Sequence, residues 1–328
     1  MSSQDRSATA KGPGASFGKT HHWIVLACLF VLLGGAALLW STRGLGRTDP
    51  FELHGSTAAI GTRAAINRDA ALLGHSLRCM DWLRKSAFKQ TVRECTLVLD
   101  LDPKNVTALS LRGSAFAQMK MYDKALADFS RTVALSPAFA DGYRLRGGAY
   151  ALQNRPALAL ADFNRAIALA PNDPQNVEAR GHLHQMRGEY ALAIADFSAA
   201  IARAPMLART WNSRCWTRLL GHAPLDQALA DCNRSLQLDA SSANAYDSRG
   251  YVLYQLNRFA PAIADFSKAI DLNANLASAW YGRGLSKLRI KDLSAPRDIA
   301  RAKTLEPAIA DRFAAYGIRP QANGPSGA

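Results

Sequence analysis

Histidine is scarce in this chain, and familiar catalytic motifs are missing from it. The 328 residues include seven histidines. His182 and His184 stand two residues apart, which points them to different faces of a helix, whereas a metal-binding pair on a helix needs a spacing of three or four. There is no Gly-x-Ser-x-Gly, His-Glu-x-x-His or dinucleotide-binding glycine pattern. These absences predict a protein that is not an enzyme and that uses no metal or cofactor.

Acidic and aromatic residues are also in short supply. The sequence has 26 Asp and Glu against 40 Lys and Arg, a net charge of +14, and its aromatic content is 8%. The hydrophobic content of 48% excludes a wholly disordered chain, and few aromatics favour close-packed helices over a β-sandwich. The excess of positive charge leaves nucleic-acid binding open as an alternative. That role needs a continuous basic stripe with stacking aromatics, and the sequence shows none.

A single long apolar run interrupts the chain near its N-terminus. Trp23–Trp40 reads WIVLACLFVLLGGAALLW, 18 residues without a charge. As a helix it would span about 27 Å, close to the hydrocarbon core of a bilayer, with a tryptophan at each interface. A cleaved signal peptide is the alternative, but its apolar region is shorter and a small-x-small site follows it. We predict a disordered tail over 1–22, a transmembrane helix over 23–40 and a linker or partial helix over 41–66.

The rest of the chain repeats itself with a period of 34 residues. Proline recurs at 103, 137, 171 and 205, and the series continues at Ala240, Ala274 and Pro307. A column of small residues keeps the same register: Cys79, Gly113, Gly147, Gly181, Cys215, Gly250 and Gly284. A bulky column does so too: Cys95, Phe129, Phe163, Phe197, Cys232, Phe266 and Ile299. Small residues allow two antiparallel helices to approach closely, and proline ends the second helix of each pair.

These columns resemble the tetratricopeptide-repeat family. Tyr143, Gly147, Tyr150, Ala159, Phe163, Ala166 and Pro171 reproduce its motif almost completely. The resemblance covers 67–307, about seven units with a degenerate first one. It implies an all-α fold, a right-handed superhelical solenoid whose neighbouring units bury each other's faces. The amphipathic segment 308–318 is expected to cap the last unit, and 319–328 to form a disordered tail.

Arginine and an acidic residue recur together inside the repeat. The arginines are Arg78, Arg112, Arg146, Arg180, Arg214, Arg249 and Arg283, and the acids are Glu94, Asp128, Asp162, Asp196, Asp231, Asp265 and Asp298. One interpretation is a basic ladder for phosphates. Equal numbers at constant spacing favour the other, a structural ladder of ion pairs between the paired helices.

Four cysteines occupy the same two columns in two repeats. Cys79 and Cys95 lie in the first unit, and Cys215 and Cys232 in the fifth. Cysteine is found in both columns of a unit or in neither, which predicts the disulfides Cys79–Cys95 and Cys215–Cys232. Buried free thiols are the alternative. Disulfides indicate an oxidising compartment, so we expect a single-pass protein of the bacterial inner membrane with its repeats in the periplasm.

The resemblance also implies a groove for a peptide or protein segment, lined by the first helices of successive units. The groove positions are Arg144, Glu178, His182, Arg209, Asn212, Trp216, Asn244, Asp247, Tyr251, Tyr254 and Tyr281. The four aromatics are candidate anchors, or alternatively part of the core between repeats. The expected function is a membrane-anchored scaffold for protein–protein interaction. A cytosol-facing adaptor, a regulatory subunit of an enzyme complex and a basic nucleic-acid-binding solenoid are the alternatives.

Overall fold

A computed structural model describes residues 56–319, with side chains from residue 63 onward, and this part of the chain is helical throughout. Its fifteen helices run as follows: α1 Ser56–Arg84, α2 Phe88–Leu101, α3 Val106–Gln118, α4 Tyr122–Leu135, α5 Ala140–Leu152, α6 Pro156–Leu169, α7 Pro174–Met186, α8 Tyr190–Arg203, α9 Ala208–Leu220, α10 Leu225–Leu238, α11 Ala243–Gln255, α12 Phe259–Leu272, α13 Ala277–Arg289, α14 Ala295–Leu305 and α15 Ile309–Ala315.

The first fourteen helices form seven hairpins, which confirms the predicted solenoid of seven repeats. Each odd-numbered helix pairs with the next helix, and each hairpin packs on the one that follows. The bend within each hairpin contains one residue with a positive φ: Ser86, Lys120, Asn154, Gly188, His222, Asn257 and Lys291. Only the fourth repeat uses glycine there, although a left-handed backbone favours it. Each second helix ends before the proline column, as at Leu135 and Pro137.

The small column lies where the two helices of a hairpin come closest. A Cβ atom placed on Gly147 would lie 2.9 Å from the ring of Phe163 and 3.2 Å from the carbonyl oxygen of Ala159. One on Gly250 would lie 2.7 Å from the ring of Phe266. The bulky residue of the second helix therefore fills the space that the missing side chain leaves on the first.

The arginine–acid ladder is structural, as the equal spacing indicated. Six arginines each donate two hydrogen bonds of 2.7–2.9 Å to the aspartate of their own hairpin. In five repeats the guanidinium also donates to a side chain of the preceding hairpin: Thr96, Asn164, Ser198, Asn233 and Ser267. All six arginines thus hold their own hairpin together, and five of them also join it to the preceding one.

Both predicted cysteine pairs lie across a hairpin with their sulfur atoms at disulfide-bonding distance. The Cα atoms of Cys79 and Cys95 are 5.3 Å apart, and those of Cys215 and Cys232 are 5.4 Å apart. All four side chains are fully buried. The cysteines stand where repeats two, three, four and six have a glycine–phenylalanine contact, so a sulfur pair takes the place of a packed ring.

The first helix of the solenoid extends N-terminally beyond the repeat itself. Helix α1 begins at Ser56, inside the segment 41–66, for which the sequence predicts a linker or partial helix. Its 29 residues make it about twice as long as the other first helices. The transmembrane helix predicted for 23–40 lies outside the described residues. Within 56–319, no helix combines the length and apolar character that crossing a bilayer requires.

Candidate functional site

The first helices of the repeats line the inner face of the solenoid. In the described part of the chain, α9, α11 and α13 contact one another in sequence, whereas neighbouring second helices have no comparable contact. Helices that lie closer together occupy the inside of a curved stack. The inner face is therefore the surface built from α1, α3, α5, α7, α9, α11 and α13.

A cavity of about 630 Å³ opens on the inner face of repeats five to seven. Helices α9 and α11 form its walls, the beginning of α13 closes one side, and α15 lies across it. It is lined by Gln185, Arg209, Asn212, Ser213, Trp216, Asp239, Ser242, Ala243, Asn244, Asp247, Ser248, Asn273, Leu276, Ser278, Arg312, Phe313 and Tyr316. The lining combines hydrogen-bonding groups with three aromatic rings, those of Trp216, Phe313 and Tyr316, which suits a peptide better than a purely apolar ligand.

Five of the eleven predicted groove residues lie together in this cavity: Arg209, Asn212, Trp216, Asn244 and Asp247. Asn244 is exposed, and the other four are half-buried. They come from α9 and α11, one repeat apart, so the repeat itself brings them together. The Cys215–Cys232 pair lies directly behind them and holds α9 on α10.

Three tyrosines predicted to line the groove lie in the core instead. Tyr251, Tyr254 and Tyr281 are 0%, 4% and 2% exposed. The Tyr251 hydroxyl donates to the carbonyl oxygen of Ser278 at 2.7 Å, and that of Tyr254 to the carbonyl oxygen of Arg319 at 3.3 Å. The prediction of these residues as exposed anchors is therefore corrected. Phe313 of α15 covers the rings of Tyr251 and Tyr281, and Tyr254 packs against Phe259, so all three belong to the core, as the alternative interpretation has it.

Arg144, Glu178 and His182 are also buried rather than open to a ligand. Arg144 donates to Asp141 at 2.6 Å. Glu178 accepts hydrogen bonds from Arg209 and from Thr210 of the next repeat. His182 packs edge-on against Phe197, and burial lowers its pKa. Arg144 and His182 are thus held by contacts within their own repeats and Glu178 by contacts with the next repeat, and this corrects their predicted groove role.

Helix α15 folds back onto the inner face, which its description as a cap did not anticipate. Phe313 is 1% exposed and stacks on Tyr251 with ring centres 4.6 Å apart. Its ring also contacts Trp216 and Tyr281, so one side chain touches the first helices of three consecutive repeats. Tyr316 adds an edge-on contact with Trp216 at 6.0 Å. The C-terminal helix therefore shields repeats five, six and seven together.

Two acceptor atoms in the cavity wall lack a hydrogen-bond partner. They are Oδ1 of Asn212 and Oδ1 of Asp247, both shielded from solvent. Oδ2 of Asp247 accepts from Ser278 at 2.6 Å. Desolvation raises the pKa of Asp247 to about 7, against the lowering effects of that hydrogen bond and of Arg312. Unmet acceptors on a groove wall favour a ligand that donates hydrogen bonds, as a peptide backbone does.

The sequence analysis missed the contribution of α15 to the cavity. Arg312, Phe313 and Tyr316 line it, and the guanidinium of Arg312 is held by two hydrogen bonds of 2.7 Å to Glu306. The amphipathic pattern of 308–318 was the available signal. It predicts a helix with a buried side, but not which surface that side covers.

Comparison with known families supports the repeat assignment. A model described as "Tetratricopeptide repeat" matches residues 110–174, and one described as "TPR repeat" matches 250–290. A search of curated protein sequences finds no match.

Solved structures of similar fold are numerous, and the three described here are 15–21% identical to this chain. The chain is similar to a structure from the APC/C hetero-tetramer Cut9–Hcn1 (TM-score 0.59, 15% identity, 74% of this chain) but spans only 52% of that protein's length. PilW, a type IV pilus biogenesis factor, matches with TM-score 0.56, 20% identity and coverage of 62% of this chain and 94% of PilW. A tetratricopeptide repeat protein from Parabacteroides merdae matches with TM-score 0.55, 21% identity and coverage of 70% and 89%. At these identities the likeness shows the fold alone.

Proposed function

This chain is a tetratricopeptide-repeat protein, and from that premise we propose that it is a membrane-anchored scaffold that binds a protein segment on the inner face of repeats five to seven. The repeat fold supports a role in protein–protein interaction, and stacked hairpins present an extended surface suited to it.

The cavity beside Trp216 is the observation that carries the partner site. It combines about 630 Å³ of space with a half-buried tryptophan, a guanidinium at Arg209 and unmet acceptors at Asn212 and Asp247. An extended segment could place an apolar side chain on Trp216, backbone N–H groups on the acceptors, and a carboxylate beside Arg209, whose guanidinium it would share with Glu178. The ladder arginines of repeats two to seven do not provide a rival basic stripe, because each is paired with an aspartate and is less exposed than Arg209.

Site-specific photocrosslinking tests this site in native membranes. A photoreactive residue replaces Asn244, which is exposed at the cavity, and a matched one replaces Lys268, which is exposed on the second helix of the same repeat. We expect a discrete crosslinked protein from position 244 and not from 268. Adding Trp216→Ala should remove that product. Equal crosslinking from both positions, or a product that survives Trp216→Ala, would place the partner elsewhere.

The cysteine pairs support a periplasmic location for the repeats. Two buried pairs at disulfide-bonding distance fit an oxidising environment, and the apolar run 23–40 fits a single-pass anchor of the bacterial inner membrane, so we place the repeats in the periplasm. Alkylation of the full chain in denaturant, before and after reduction, tests this proposal. We expect only Cys28 to react before reduction and five cysteines after it. Five reactive thiols without reduction would favour the cytosol-facing adaptor.

A further inference from the structure

Helix α1 carries an exposed apolar row at the free N-terminal end of the solenoid. Ile66, Leu73, Leu77 and Met80 are 66%, 55%, 54% and 39% exposed, and Ala70 lies between them and is exposed. The spacing from 66 to 80 alternates four and three residues, so all five side chains lie on one side of the helix. We call this row the α1 edge. The opposite side of α1, with Cys79 and Leu83, packs on the core.

The α1 edge has the register of inner-face positions that are covered in some later repeats and open in others. The counterpart of Leu77 in repeat seven is Gly282, where an added Cβ would lie 2.3 Å from Phe266 of repeat six. The counterpart of Met80 in repeat six is Tyr251, which is fully buried against Phe313. An open position of this register is polar: the counterpart of Leu73 in repeat six is Asn244, which lines the cavity. A terminal repeat of a soluble solenoid normally presents a polar outer face. An apolar face at this register therefore indicates that something packs on it.

Helix α1 is also longer than its own hairpin needs. The guanidinium of Arg68 bonds to the carbonyl oxygen of Leu101, the last residue of α2. Residues 56–67 thus extend past the end of α2, a length of about 18 Å. All described side chains from 63 to 70 are exposed. The extension continues a helix that its own hairpin already stabilises, and its exposed side chains add surface next to the α1 edge.

We propose that the partner is a second copy of this chain, with the two α1 edges packed against each other about a two-fold axis. The alternating spacing of four and three is that of a two-helix seam. A preceding hairpin would need about 34 residues, whereas only 15 separate the apolar run 23–40 from Ser56. This last step rests on the proposed membrane anchor, which removes 23–40 from the reach of α1. Two chains anchored in one membrane also meet at a raised effective concentration.

The first test is the mass of the full chain in mild detergent, measured by light scattering on a sizing column. We expect a dimer for the parent and a monomer for the double variant Leu73→Lys and Leu77→Lys, with unchanged helical circular dichroism. The control Leu293→Lys alters a side chain that is 96% exposed and far along the chain, and it should remain a dimer. A monomeric parent, or a dimer that the double variant retains, would overturn the proposal; the latter would assign dimerisation to the apolar run or another surface.

The second test is oxidative crosslinking of the full chain in membranes, in a Cys28→Ser background. The Ala70→Cys variant should form an intermolecular disulfide on mild oxidation. The Leu293→Cys variant should give at least tenfold less disulfide-linked dimer, because only random collisions bring two copies of position 293 together. Equal crosslinking at both positions, or none at 70, would refute the proposal. The double lysine variant should still give the partner product from position 244. If position 244 gives no partner product even in the parent protein, the proposed function is refuted, and the dimer is then decided by the crosslink at position 70 alone.

Discussion

Replacing Phe313 with alanine should detach the C-terminal helix and leave the solenoid folded. Burying a phenylalanine fully contributes up to about 3 kcal/mol, and an aromatic contact such as that with Tyr251 adds about 0.5–1.5 kcal/mol. The Phe313→Ala change therefore costs about 3–5 kcal/mol, the usual range for core phenylalanines. Helix α15 has only seven residues, too few to persist as an isolated helix once its anchor is lost.

Amide hydrogen exchange measured by mass spectrometry follows this detachment directly. We expect protection in 309–319 to fall by about 100-fold or more, since each 1.4 kcal/mol is a factor of ten. Protection in α9, α11 and α13 should persist apart from the amides that α15 covers. Phe116→Ala is the matched control, because Phe116 is half-buried in repeat two. Unchanged protection in 309–319, or loss of protection throughout the seven repeats, would refute the assignment of Phe313 as the local anchor.

Three further changes test the repeat and the cavity wall. Gly282→Ala should destabilise the protein by about 1–3 kcal/mol in urea unfolding, because the new methyl group overlaps Phe266, whereas Gly148→Ala, with no atom within 4 Å, should stabilise its helix by up to about 1 kcal/mol. Asp231→Ala removes a buried carboxylate shared by two half-buried arginines and should cost about 3–5 kcal/mol. Asp247→Asn should raise the melting temperature relative to the parent at pH 8 and not at pH 4. Burial raises the pKa of Asp247 to about 7. The loss of folding stability caused by its ionisation is therefore absent below about pH 4, grows as the pH rises, and is complete above about pH 7.

Each of these comparisons has an outcome that would contradict its reasoning. Equal effects of Gly282→Ala and Gly148→Ala would show that the close packing of repeat seven on repeat six does not require glycine at position 282. An Asp231→Ala variant as stable as the parent would mean that the ladder contributes nothing. A pH-independent difference between Asp247→Asn and the parent would mean that Asp247 is not desolvated.

The sequence alone determined the repeat and everything that recurs within it. Glycine at 147 and phenylalanine at 163 predicted a close helix contact, and the even spacing of Arg112 and Asp128 predicted an ion pair within one hairpin. Such contacts join residues about 16 apart in every unit, so a single pattern, read seven times, is sufficient to infer them. The cysteine pairs follow from the same register.

Only the tertiary structure decided which inner-face residues remain accessible. Tyr251 and Tyr281 occupy groove positions in the repeat pattern, yet Phe313 covers both. Tyr254 contacts Arg319, 65 residues later in the chain. Helix α15 belongs to no repeat, so the period carries no information about where it packs. Its position is set by burial of its apolar side against aromatics that separate repeats bring together, and that surface exists only once the repeats have stacked.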